Sequence, residues 1–302
     1  MTDDDGLGPA RERTEDLLAA LDRGDIDGPA GVRAMLTYLG RRGEIGVMLV
    51  TWAQLLAVCG RTGAEPFADV AAPWVAHARA LVVAARGADG EGQEWLRPLA
   101  APLQSVMTEL EDDQIWELAW HTLIEVYAVL QHVGGGAAGL RRLRAVAHAH
   151  RPFAPGAHGA VLAVVVAALM SGQTAAAHHA LTGVLADPVD GPRATAEAVG
   201  AWVALAAETM ISPGSTLLLL DEGVPQAVLD TRMLAGAELG AESDEIGRGA
   251  ALMAIASRAI TALRAGDADP LRELTEVSEA DRMVLAWHLA GTVATLLSRA
   301  KQ

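Results

Sequence analysis

Three adjacent carboxylates and a fourth one helical turn later stand in Glu111-Asp112-Asp113-Gln114-Ile115-Trp116-Glu117. Carboxylates so spaced can hold Mg²⁺ against an anionic leaving group. Farther along, Glu117, His121 and Glu125 step by four, with His132 in phase, so one helical face could present them to a metal. The opposite face carries Ile115, Ala119, Thr122, Val126 and Val129, and the Glu/His stripe is therefore expected to be the solvated side. A third segment gathers Arg141, Arg142, Arg144 and Arg151 with His148, His150 and His158. Its arginines follow a glycine run and suit an anion or an acidic partner, while the histidines offer imidazoles to zinc. Finally, Ser215 to Gly223 reads STLLLLDEG, the form of a Mg²⁺-binding strand in a nucleotide hydrolase. That chemistry also needs a glycine-rich loop ending in lysine, and the single lysine of the chain is Lys301. The run is expected instead to be a short buried helix, capped by Ser215 and ended by Gly223-Val224-Pro225.

The elements that must position these groups read as helices throughout. Alanine and leucine dominate, β-branched alternation is scarce, and Pro or Gly punctuates the 302 residues at short intervals. Helices are predicted over residues 9–23, 29–40, 43–59, 64–86, 92–110, 113–133, 138–150, 156–171, 173–186, 192–211, 215–222, 225–239, 244–265 and 278–300. The apolar run from Gly159 to Met170 is shorter than the ~20 residues needed to span a bilayer and is read as a buried helix. Gly134-Gly135-Gly136 is the one flexible-looking joint. The division expected is a flexible acidic N-terminus over 1–8, a helical region over 9–133, a joint over 134–139 and a helical-repeat region over 140–302.

Composition excludes several classes of function. A net charge of −15 argues against nucleic acid and anionic membranes as partners and favours a basic protein or peptide. The first residues, MTDDDGLGPARERTED, have neither the basic nor the apolar region of a signal peptide, and Cys59 is the only cysteine, so a cytoplasmic location is expected. Cys59 is read as a small buried hydrophobe. The absence of asparagine beside abundant alanine and arginine has the look of a GC-rich bacterial coding bias.

Three resemblances rest on these residues. Trp120-x₂-Leu123-Ile124-x₂-Tyr127 resembles the first-helix pattern of tetratricopeptide repeats, with Ile where Gly is usual, and Gly172 to Pro188 resembles the second half through Ala177, Leu181 and Pro188. Glycine-polar turns followed by Trp-bearing helices at Trp52, Trp202 and Trp287 extend the pattern. LLLLDEGVPQAVLD resembles the helix, Gly-x-Pro turn, helix unit of armadillo repeats. The segment at Asp112, Asp113 and Glu117 resembles the Mg²⁺-diphosphate motif of bacterial class I terpene cyclases. Their second metal motif lacks its middle ligand here, at Asp230-x₃-Leu234-x₃-Glu238, and the chain has only two Phe and two Tyr.

The sequence therefore predicts an all-α protein, an α-solenoid of stacked TPR-like hairpins with two possible subdomains, acting as a protein- or peptide-binding adaptor without a cofactor. An all-α Mg²⁺-diphosphate enzyme around Asp112 and Asp113, or a small-molecule-binding helical protein, is the alternative. No catalytic residue is assigned. Asp112, Asp113, Glu117, His148, His150 and His158 are the metal candidates, and Arg141, Arg142, Arg144 and Arg151 those for an anion or partner.

Overall fold

The computed structural model describes residues 7–38, 44–60, 66–88, 94–154, 156–209, 243–267, 274 and 277–300. STLLLLDEG and the helices expected over 215–222 and 225–239 lie outside them. Among the described residues all regular structure is helical, as the composition requires. The elements are α1 (Gly8–Arg23), α2 (Pro29–Tyr38), α3 (Ile45–Cys59), α4 (Val75–Arg86), α5 (Arg97–Glu109), α6 (Asp112–Leu130), α7 (Gly136–His150), α8 (Gly156–Met170), α9 (Thr174–Leu185), α10 (Gly191–Thr209), α11 (Ser243–Arg264) and α12 (Glu279–Arg299). Short 3₁₀ turns, Glu94–Leu96 and Gln131–Val133, lead into α5 and out of α6. No described helix is long and apolar enough to cross a membrane.

Two compact units divide the chain, Met1–His148 and Ala149–Gln302. In the first, α3 is the centre. Met48, Leu49, Trp52, Leu55, Leu56 and Cys59 are all fully buried, and α1, α4, α5 and α6 pack around it. Trp52 places its apolar rings in this core and donates its indole N–H to Thr14 Oγ1 of α1 at 2.9 Å, so its one polar atom is satisfied. In the second unit α8 has the central place. Val161 to Ala168 are buried without a break, and α9, α10 and α12 pack against it. A helix with no polar face can only be enclosed. The last helix, α12, also packs on α9, α10 and α11, so packing in this unit joins elements distant in sequence.

The unit boundary falls between His148 and Ala149, near the end of α7. Gly134 and Gly135 have φ of 115° and 82°, which only glycine adopts cheaply, and they turn the chain tightly from α6 into α7. The N-terminus of α7 is then tied to α1. Ala137 N–H donates to Asp22 Oδ2 at 3.4 Å, and a Cβ at Gly136 would run into the Asp22 carboxylate. Leu140, Leu143 and Val146 bury the inner face of α7, so most of this helix belongs to the first unit.

One expected helix, over 64–86, is shorter. Pro66 and Pro73 bracket a turn segment, Phe67 takes a left-handed φ of 61°, and α4 starts only at Val75. Proline disfavours helical geometry in the residue before it, and a left-handed residue cannot sit inside a helix.

Asp22 also accepts a hydrogen bond from Tyr127 of α6, and that bond, with the nearby negative charge and partial burial, holds the phenol above its ordinary range. Asp22→Ala is expected to destabilise the first unit by about 1–2 kcal/mol, the usual loss for a helix cap. It should also bring the ultraviolet titration of Tyr127 down to the ordinary tyrosine range. A mutant whose urea midpoint and phenol titration both stay in place would show that the carboxylate anchors neither group.

Candidate functional site

The acidic motif begins α6. Glu111 and Gln114 form a reciprocal capping box, with Glu111 N–H donating to Gln114 Oε1 at 3.0 Å, and Asp112 and Asp113 fill the first turn, where carboxylates complement the helix dipole. Arg33 of α2 reaches across to them, 3.1 Å from Asp112 Oδ2 and 4.0 Å from Asp113 Oδ1. Its guanidinium also lies 5.7 Å from the centre of the Trp116 ring. The cation beside these carboxylates is thus the chain's own guanidinium. Glu117 is exposed one turn on, and among the described residues no three His, Cys, Asp or Glu side chains come together as a metal site.

The Glu/His stripe of α6 is not the solvated face expected. Glu117 is exposed, but the turn segment from Phe67 to Trp74 covers His121 and Glu125. Trp74 stacks on His121 with ring centres 4.9 Å apart, and Phe67 meets Trp74 edge-on at 6.1 Å. Glu125 Oε1 accepts the Phe67 N–H at 3.1 Å, and Arg79 Nη2 donates to the Phe67 carbonyl at 2.7 Å. Both polar groups of a strained residue are thus held by charged side chains. A bulky non-glycine residue at positive φ persists only where its surroundings over-determine it, and such residues cluster at functional sites. Sequence reasoning missed this cluster. The available signal was two prolines bracketing a Phe and preceding a Trp in a chain poor in aromatics.

A second cluster joins α4 to α5. Ser105 Oγ lies 3.1 Å from His77 Nδ1 and donates to Glu109 Oε1 at 2.7 Å. The groups are those of a nucleophilic triad, but the order is wrong. In a triad the histidine stands between serine and carboxylate and takes the serine proton. Here serine stands in the middle and donates its hydrogen bond to the carboxylate, so its proton is directed away from the histidine. Cys59 is no better a nucleophile: it is fully buried, and burial pushes its thiol up to about 12.

Two arginines of α7 already hold a carboxylate of the chain itself, and a third holds a carbonyl. Arg141 Nη1 is 2.6 Å from Glu15 Oε1, Arg144 Nη1 is 3.8 Å from Glu15 Oε2, and Arg142 Nη1 donates to the Val133 carbonyl at 2.7 Å. Arg151 lies exposed in the turn after the helix. The carboxylate at the N-terminus of this helix is Asp22 of α1. The histidines do not converge: His148 is exposed, His150 is buried, and two residues apart on a helix they point to different sides. His158 Nδ1 is 3.5 Å from Glu197 Oε2, while Arg193 Nε holds Glu197 Oε1 at 2.7 Å. Partial burial works to raise the Glu197 carboxyl, but the bonds and charges of Arg193 and His158 outweigh it and hold it below its usual range.

No protein-family model, no curated protein and no solved structure matches this chain. The resemblances to tetratricopeptide repeats and terpene cyclases rest on the quoted residues alone.

Glu125→Ala leaves the Phe67 N–H without its acceptor and is expected to destabilise the first unit by about 1–3 kcal/mol in urea unfolding, with Glu125→Gln losing less. An unchanged midpoint in both would show that the strained turn stands without Glu125. Adding Mg²⁺ with inorganic diphosphate is expected to leave the melting temperature unchanged, because Arg33 occupies the carboxylates. A stabilisation abolished by Asp112→Ala would overturn that.

Proposed function

We propose that this chain is a non-catalytic protein- or peptide-binding adaptor whose acidic surface takes a basic partner. The observation that carries this reading is the fate of its charges. Basic side chains are spent inside the chain: Arg13 on Glu44, Arg23 on Asp25, Arg33 on Asp112, Arg141 and Arg144 on Glu15, Arg193 on Glu197. With a net charge of −15, the surplus is carboxylate, and Glu117 and Asp190 are among the exposed ones. A surplus of one sign steers and selects a partner of the other. The enzyme alternative loses support because Asp112 and Asp113 already hold Arg33.

The helical-repeat character belongs to the same proposal. Packing of α8 on α9 and α9 on α10 supports stacked hairpins of the tetratricopeptide kind in the second unit, whereas the packing of α12 on α8 supports a stack that closes on itself. A cytoplasmic, bacterial setting goes with this reading through the composition of the chain.

The test is binding to a library of peptides of graded charge, read by fluorescence anisotropy at 50 and 500 mM salt. Lys/Arg-rich peptides are expected to bind, with affinity falling steeply as salt rises. Equal binding of acidic and basic peptides, or none at low salt, would overturn the proposal.

A further inference from the structure

His150 ends α7 and is the second residue of the second unit, where its side chain is 1% exposed. Its ring meets Trp202 of α10 edge-on, with centres 6.5 Å apart, and Trp202 is itself fully buried. Neither ring nitrogen of His150 has a hydrogen-bond partner among the described residues, and nor does Trp202 Nε1. Its carbonyl, in contrast, is well used, accepting from Phe153 and Ala154 N–H at 2.9 Å and so closing the turn into α8. The side chain therefore contributes apolar packing within the second unit, and only a neutral imidazole can do so.

We propose that His150 is an acid-sensitive latch within the second unit: sealed against Trp202 in its neutral form, it holds the turn into α8 against α10, and protonation releases it. Among the described residues no carboxylate is paired with the ring to compensate the charge. On α10 the side chains in phase with Trp202, namely Thr195, Ala198, Val199 and Ala206, are buried and uncharged, Arg193 and Glu197 bind each other, and Glu208 is exposed. Among the residues of α8 only His158 titrates, and it faces Glu197. Exposed His178 of α9 lies against Trp287, buried His288 belongs to α12, and Asp281 stands at the first turn of that helix, bound to Ser278. On its own segment His148 and Arg151 are exposed and add only positive charge.

Burial alone lowers the imidazole from 6.5 to about 4. The released form then binds the proton more tightly than the latched one, so the latch is fully engaged above pH 6.5 and is lost as pH falls toward 4. Between pH 7.5 and 5 that difference corresponds to about a 30-fold rise in the opening equilibrium.

The test is hydrogen exchange on the full chain at pH 7.5 and 5.0, corrected for intrinsic rates and read at residues 151–154 and across α10. The wild type is expected to lose about 30-fold in protection, His158→Gln to lose the same, and His150→Leu to stay level. Equal loss in wild type and His150→Leu, no loss in wild type, or a loss abolished by His158→Gln would each overturn the latch. Should His150→Leu not fold, the ring signals of ¹³C-histidine-labelled wild type decide. The imidazole in contact with Trp202 is expected to remain neutral at pH 5.5, and its titration near 6.5 would sink the proposal.

Discussion

A helix with no polar face cannot sit on a surface, and in each unit one such helix sets the terms for the others. From Val161 to Ala168 every residue of α8 is buried, although valine is a mediocre helix former. Enclosure outweighs propensity here, because each buried methyl adds apolar area while the backbone bonds are satisfied within the helix. Around α3 the same demand is met by α1, α4, α5 and α6. With two Phe and two Tyr in 302 residues, bulk comes from leucine, valine and a few tryptophans, and alanine lets the helices approach closely. Trp52 and Trp202 are both fully buried but differently treated: one indole N–H finds Thr14, the other has no acceptor among the described residues.

The charged groups of the first unit serve mainly to tie these helices together. Asp22 reaches α7 and α6, Glu15 holds two arginines of α7, and Arg33 spans α2 and α6. Exposed pairs of this kind contribute little each to stability. Their effect is on availability, since a carboxylate facing a guanidinium is a poor ligand for a metal, and an arginine facing Glu15 is a poor receptor for phosphate. What is left over is negative, and that surplus is what a partner would meet.

Helix positions were legible because proline and glycine act locally: Pro9 starts α1, Gly24 at φ 74° ends it, and the boundaries of α7 to α10 fall within two residues of those expected. The turn at Phe67 was not legible. Its left-handed backbone is held by Glu125, 58 residues away, and no local pattern announces an acceptor at that range. For the same reason the stripe of Glu117, His121 and Glu125 looked solvated, since periodicity identifies a face but not what lies across from it. The acidic motif at Asp112 and the arginines after Gly136 are visible in the sequence as charged segments. Their occupants, Arg33 and Glu15, come from α2 and α1.

The amino-acid sequence by itself determined the all-helical class, the burial of α8 and the excess of negative charge, because each follows from composition and from contacts within a few residues. Only the tertiary structure decided which charges cancel, where the chain divides, that Phe67 is strained and that His150 is sealed against Trp202. Those outcomes depend on side chains brought together from separate helices, and the energy of such a contact has no counterpart in the local pattern of either partner.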